Sequence, residues 1–370
     1  MFDVRAHFGK WILIGAMAAA PVGAEVIFEE NFDDQPDWHS AMHSTDRTQF
    51  ADTHVIPKGW YAIRQDPSWA PSVGHPDRHE SIEILSSNTD KARGGRGKSY
   101  VSWRDSYNPG WNRWNSESIV AKYFPSGYEQ IYVRFWIKFA PDWTPGGSSK
   151  LFRISSWDEV ESIFGYGGDR YNAPVIFWNY GGSETNLRNK ISYRAHPQNT
   201  NYFMRDPEPI KLPRSPTNAD LSLNFDDNIR DLDGDGADDN EVILVNKLNG
   251  ELVSGLVTHE EIYGRDWNKV EFFVKMNSAP GAMDGIFKQW INDQLVFSNE
   301  SMPWQGNQSR GGRRWNVVAI GGNDFFQEYD NSLRHEEWYA IDDVLIMSSM
   351  PVDDVQSGIP PASPINIIVE

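Results

Sequence analysis

Alternation with a period of two dominates the chain. In Tyr132-Val133-Arg134-Phe135-Trp136-Ile137-Lys138-Phe139, Val133, Phe135, Ile137 and Phe139 form an apolar series and the intervening positions mix aromatic and charged groups. Successive side chains of a strand point to opposite faces, so this segment predicts one core face and one polar-aromatic face. The same reading predicts strands at 81–85, 99–103, 118–123, 151–155, 175–180, 190–196, 242–247, 269–276, 286–292 and 338–347. Turn-forming clusters such as Pro145-Gly146-Gly147 and Ser278-Ala279-Pro280-Gly281 separate them. Helical periodicity is scarce, and no fixed-period repeat is present, which counts against propellers and solenoids. Many medium-length strands joined by Gly/Pro/Asn/Asp loops predict an all-β fold, a two-sheet antiparallel β-sandwich or jelly roll.

The ends read differently from the middle. Arg5 and Lys10 precede an apolar run at 11–20, and Val22 and Ala24 supply the small residues a signal peptidase accepts. Residues 1–24 are therefore expected to be a signal peptide, too short in its apolar stretch to cross a bilayer, and the mature protein is expected to be secreted or periplasmic, with no transmembrane segment. Residues 25–350 are read as one jelly-roll domain, with an insertion near 199–241 rich in Pro, Asp and Asn, and 351–370 as a C-terminal tail.

Composition narrows the chemistry. Zero cysteines among 370 residues exclude a disulfide scaffold, a thiolate metal site and a cysteine nucleophile. A net charge of −18 leaves no basic domain to neutralise phosphates, so nucleic acid is not an expected partner. No glycine loop follows a strand and opens a helix, so no nucleotide or flavin cofactor is expected.

One motif points to a hard cation. In Asp231-Leu232-Asp233-Gly234-Asp235-Gly236-Ala237-Asp238-Asp239, alternate carboxylates converge where glycine permits a tight turn, which is what Ca²⁺ requires of its oxygen ligands. Asp231, Asp233, Asp235 and Asp239 are the expected ligands, in a structural role. Val242 stands where an EF-hand places its bidentate Glu; the run instead resembles the DxDxDGxxD calcium loops of integrin and thrombospondin repeats.

Both ends of the domain carry a wider resemblance. Phe28-Glu29-Glu30-Asn31-Phe32-Asp33-Asp34 and Trp338-Tyr339-Ala340-Ile341-Asp342-Asp343-Val344-Leu345-Ile346 resemble the first and last strands of concanavalin A-like lectin/glucanase jelly rolls. Residues 131–143, followed by Lys150-Leu151-Phe152-Arg153-Ile154, look like the central strand pair of the secreted polysaccharide lyases of that fold. The segments 267–274 and 284–296, with Trp290-Ile291-Asn292-Asp293-Gln294-Leu295-Val296, extend the similarity to most of the chain. The resemblance implies a concave groove that takes a sugar chain, and a calcium ion on the opposite side near the first and last strands. Glu29 or Glu30 and Asp343 are the matching ligands.

The reaction follows from residue types. The Glu-x-Asp-x-Glu strand of the glucanases is absent; Asp158-Glu159-Val160-Glu161 has the wrong spacing, which leaves a glycoside hydrolase as the third reading. A lyase must neutralise a uronate carboxylate, remove the proton on the adjacent carbon and protonate the leaving oxygen. Resemblance to the lyases selects Lys150, Tyr193, Arg194 and His196 as the catalytic group. Alternation puts Ser192, Arg194 and His196 on one face and Tyr193 on the other. Arg134, Trp136, Trp178, Lys288 and Trp290 are the expected substrate-binding residues. The leading expectation is a polysaccharide lyase acting by β-elimination on a uronate-containing polysaccharide, with a non-catalytic lectin or carbohydrate-binding module as the alternative. An acidic protein repels a polyanion, but screening confines that repulsion to about 8–10 Å at physiological ionic strength. Nothing in the sequence fixes the oligomeric state.

Overall fold

In the computed structural model the described residues are 24–42, 55–65, 79–105, 116–144, 147–160, 162–165, 173–183, 186–194, 219–222, 246–251, 257–302, 304–306, 309, 311–325 and 336–351. They form two antiparallel sheets. The nine-stranded sheet contains β1 (Val26–Glu30), β2 (Trp38–His39), β4 (Ile82–Ile84), β5 (Tyr100–Asp105), β7 (Gln130–Phe139), β12 (Asn268–Lys275), β13 (Gly285–Ile291), β14 (Gln294–Met302) and β16 (Glu336–Met347). Its order is β14-β13-β12-β7-β16-β5-β4-β2, with β1 also paired to β16. The seven-stranded sheet has the order β11-β10-β9-β8-β15-β6-β3. Its strands are β3 (Ala62–Gln65), β6 (Ser116–Tyr128), β8 (Gly147–Ser155), β9 (Val175–Ser183), β10 (Asn186–Arg194), β11 (Ala219–Ser222) and β15 (Trp315–Phe325). The expected two-sheet antiparallel sandwich is what the chain forms.

Alternation builds the core between the sheets. Val133, Phe135 and Ile137 of β7 and Val270, Phe272 and Val274 of β12 meet Phe152, Ile154, Ile176, Trp178 and Ile191 from the other sheet. Phe152 stacks on Phe272 with ring centroids 4.5 Å apart. A second apolar cluster lies on the outer side of the seven-stranded sheet, where Trp157, Ile163 and Phe164 from the segment after β8 cover Ile119, Ala121, Val317 and Ala319. β15 is thus buried on both faces.

A buried ion pair within the nine-stranded sheet reaches the other sheet through a hydrogen bond. Arg104 of β5 and Glu337 of β16 are 1% and 0% exposed, with Arg104 Nη2 2.7 Å from Glu337 Oε2. Arg104 also donates to Ser149 Oγ at 2.8 Å and to the Thr144 carbonyl at 2.7 Å, while the Thr144 N–H donates to Glu337 Oε1. The guanidinium lies 3.3 Å from the Trp143 ring centroid. Desolvating two charges is costly, and this pair persists because it has many hydrogen-bond partners.

One short helix, α1 (His259–Ile262), escapes the sequence reading. Thr258 and Glu261 cap it reciprocally. His259 Nδ1 lies 3.0 Å from the Tyr180 hydroxyl, and burial pushes the imidazole pKa down to about 4. Of the strand expected at 242–247, residues 242–245 lie outside the described residues and Asn246 and Lys247 lead into a turn. Within the expected insertion, residues 219–222 form β11 and pair with β10, so that segment contributes an edge strand.

Candidate functional site

The outer face of the seven-stranded sheet carries a polar row across its strands. Lys150 of β8 is opposite Asn179 of β9, which is opposite Lys190 of β10. On the other flank Lys150 Nζ donates to Asn323 Oδ1 of β15 at 3.1 Å. Lys150 is half-buried, and Asn179 and Asn323 are almost fully buried despite standing on an outward position. Asn179 donates back to the Phe177 carbonyl at 3.3 Å.

Two irregularities create this row. β8 shifts register against β9 between Lys150 and Phe152, and β15 shifts against β8 between Ile320 and Asp324. Such bulges re-aim side chains and bend strands. Ser149 consequently faces Arg104 between the sheets, whereas its neighbour Lys150 faces outward. Gly322 permits the approach: a Cβ there would stand 2.0 Å from the Lys150 carbonyl oxygen. Gly321 adopts φ +79°, a backbone conformation that side chains resist.

Toward the other end of the same face the sheet is covered. Arg153 donates to the carbonyls of Ile163 and Phe164 and is committed to the segment after β8. Beyond it lies the cluster around Trp157.

Several residues expected from the sequence fall elsewhere. β9 and β10 pair without a break over nine positions, so Arg194 is opposite Val175 and Tyr193 is opposite Ile176. Tyr193 thereby shares the parity of Leu187, Asn189 and Ile191, the core-facing positions, and does not share that of Arg194. His196 lies outside the described residues. Trp178 is 0% exposed and its indole N–H donates to Asn189 Oδ1 at 3.0 Å, which corrects the expectation that it stacks on a sugar. Its partner is inside the core, where Asn189 also donates to Gln289.

Arg134, Trp136, Lys288 and Trp290 occupy β7 and β13, on the outer face of the nine-stranded sheet. They cannot line a groove shared with Lys150, because the whole sandwich separates the two faces. Lys288 pairs with Glu300 at 2.5 Å. Arg134 and Trp136 border a cavity of about 630 Å³ next to β1 and β16.

The metal expectations divide likewise. Asp231, Asp233, Asp235 and Asp239 lie outside the described residues. Asp343 forms an ion pair with Arg93, and Glu30 accepts from the Phe32 N–H and from Gln35. Glu29 borders the same cavity. Among the described residues no three His, Cys, Asp or Glu side chains converge in a way that could hold a metal ion. Neighbouring Asp342 is buried, and burial, reinforced by Asp343 and Asp33, lifts its pKa to about 7 against the hydrogen bonds from the Arg93 and Asp343 N–H groups. Among the described residues no helix is long and apolar enough to cross a membrane.

Asn179, Asn323 and Gly322 are the site residues that sequence reasoning missed. The Gly321-Gly322 pair is a visible signal of a bulge, but nothing local names its partner strand.

No protein-family model matches the chain, and neither does any curated protein. Solved structures similar to it include an alginate lyase in complex with alginate tetrasaccharide, at 10% identity and TM-score 0.45, covering 87% of this chain and 96% of that one. An endo-β-1,4-glucuronan lyase from the fungus Trichoderma reesei is 14% identical, with TM-score 0.43 and coverage of 81% and 95%. An alginate lyase from Chlorella virus is 11% identical, with TM-score 0.40 and coverage of 67% and 84%. These structural neighbours are polysaccharide lyases at low sequence identity.

Proposed function

We propose that the protein is a polysaccharide lyase that cleaves a uronate-containing chain by β-elimination on the outer face of the seven-stranded sheet. The observation that supports this reading most strongly is the cross-strand row in which Lys150 stands between Asn179 and Asn323 over the glycine bulge. An ammonium group flanked by amides on a rigid sheet suits a carboxylate whose negative charge grows as the adjacent carbon loses its proton. In this reading Lys150 and the two amides hold the uronate carboxylate. The proton on C5 passes to a base, the C4–O bond breaks with its electron pair going to the leaving oxygen, and a C4=C5 double bond remains. We assign Arg194 and His196 to the positioning and proton-transfer roles. Sheet-borne groups keep their geometry without reorganisation, which is where such catalysis draws its advantage.

One observation favours a second reading. Among the described side chains of the row there are a cation and amides but no carboxylate, Tyr or His to act as the base, which is the composition of a carbohydrate-binding module.

Ultraviolet absorbance followed over time with a panel of uronate polysaccharides separates the two. A rise with one polymer is expected from the unsaturated product end. Retention on the polymer with no rise on any of them would transfer the protein to the binding reading, and new reducing ends without absorbance would make it a hydrolase. We also propose that the loop from Asp231 to Asp239 holds a structural Ca²⁺; chelator should lower the melting temperature, and superimposable melting curves would remove the ion from the account.

A further inference from the structure

The cavity beside β1 and β16 contains a cation without a counterpart. Arg134 is half-buried, its Nε is shielded from solvent, and its guanidinium makes no hydrogen bond or ion pair with any described residue. Buried donors are almost always satisfied, so this one is set up to donate to something the protein does not supply. The neighbouring cation is committed elsewhere: Arg93 pairs with Asp343 and lies 3.9 Å from the Trp136 ring centroid, which holds that indole as a wall. Lys58 is the third cation of the lining and stands exposed at its rim; the other charged groups there are carboxylates. Glu29 and Asp34 are exposed, and neither carboxylate accepts a hydrogen bond or pairs with a cation among the described residues.

This mixture discriminates between ligand classes. A simple anion would be drawn to Arg134 and repelled by the carboxylates. A cation would meet the reverse. A ligand with one carboxylate and several hydroxyls satisfies both: its carboxylate takes the planar guanidinium fork, and its hydroxyls donate to Glu29 and Asp34. We propose that this cavity is a second sugar site, specific for a single uronosyl unit, on the face opposite the Lys150 row. It is independent of any chemistry in that row, and it would hold one part of a long polymer while another part occupies the groove.

Calorimetric titration of the full chain with sodium glucuronate, with glucose as the neutral comparison, tests it. Saturable glucuronate binding is expected, with glucose at least tenfold weaker. Measured in the Lys150→Ala background, which removes the carboxylate-holding cation of the row, Arg134→Gln should weaken glucuronate at least tenfold and Arg134→Lys should lose less. Equal binding of glucose and glucuronate, or an unaffected Arg134→Gln variant in that background, would each overturn the proposal. Melting curves identify a variant that fails to fold, and in that case Arg134→Lys alone decides, since full retention of affinity would remove the guanidinium fork from the site. Absence of lyase activity in the absorbance assay leaves this site standing.

Discussion

On the outer face of the nine-stranded sheet, cations stand beside carboxylates. Lys269 is held between Glu271 and Asp293, Lys288 reaches Glu300, and Arg93 reaches Asp343. On the outer face of the seven-stranded sheet, Lys150 stands between two amides, and Arg153 is enclosed by backbone carbonyls. These pairings are internally neutralised and ask for nothing from solution, whereas Arg134 and Lys138 on the same face have no ion pair among the described residues. The second face holds these two cations with amide and backbone oxygens. The difference shows that the two faces hold their cations by different means, carboxylates on the first and neutral oxygens on the second.

The largest effect should come from the charge at the centre of the second face. Lys150→Ala is expected to lower turnover in the absorbance assay by about three orders of magnitude with little change in melting temperature, as removal of a preorganised stabilising donor does. Near-normal turnover in this variant would break the comparison.

Next in size is acid sensitivity, which should arise between the sheets and on neither face. His259 is kept neutral to about pH 4, whereas its unfolded counterpart takes up a proton below about pH 6.5. Its contribution, roughly 3 kcal/mol, is therefore present at neutral pH and lost as pH falls from 6.5 toward 4. Urea unfolding at pH 7 and pH 5 should show about 2 kcal/mol of that loss, and His259→Gln should reduce it. An undiminished pH dependence in the variant would move its source to the faces.

Gly322→Ala is expected to cost about 2 kcal/mol of stability, since its Cβ would collide with the Lys150 carbonyl and force β8 from β15. Turnover should fall with it, by at least tenfold, because the bulge aims Lys150. Denaturant unfolding and the absorbance assay measure both. The smallest effect belongs to the first face: Lys288→Ala removes an ion pair whose Glu300 partner is largely exposed, and should change stability by less than about 0.5 kcal/mol. A larger loss would mean that the paired face contributes more than neutrality.

How far the sequence could be read depended on whether information was local. Alternation marked β7, β12 and β13 because each has one core face and one wet face. It failed at β15, where Val317, Val318, Ala319 and Ile320 are all buried, two against the inter-sheet core and two under Trp157. A strand apolar on both faces shows no period. Trp178 was placed on the wrong face for a related reason: Ile176, Trp178 and Tyr180 share a parity, but aromatic rings suit a core and a sugar platform equally. Lys150 entered the candidate site by resemblance. Asn179 and Asn323 did not, since an isolated Asn reads as a turn former and the register that brings these residues to Lys150 is set by three strands far apart in sequence. Sheet membership is equally non-local, and for that reason Arg134 and Lys150 were grouped although they occupy opposite surfaces.

The position of β16 has a consequence for synthesis. It is the last described strand in chain order, yet it runs through the interior of the nine-stranded sheet, between β7 and β5, and also pairs with β1. Until it emerges, the growing chain holds two part-sheets whose facing edges are unpaired and open to other chains. Glu337, the partner of Arg104, arrives on the same strand. The closing segment therefore delivers both the missing rung and the charge that Arg104 requires, so that an interrupted chain is left with an open sheet and an uncompensated buried cation. Incomplete products of this protein should be conspicuous to proteases and chaperones.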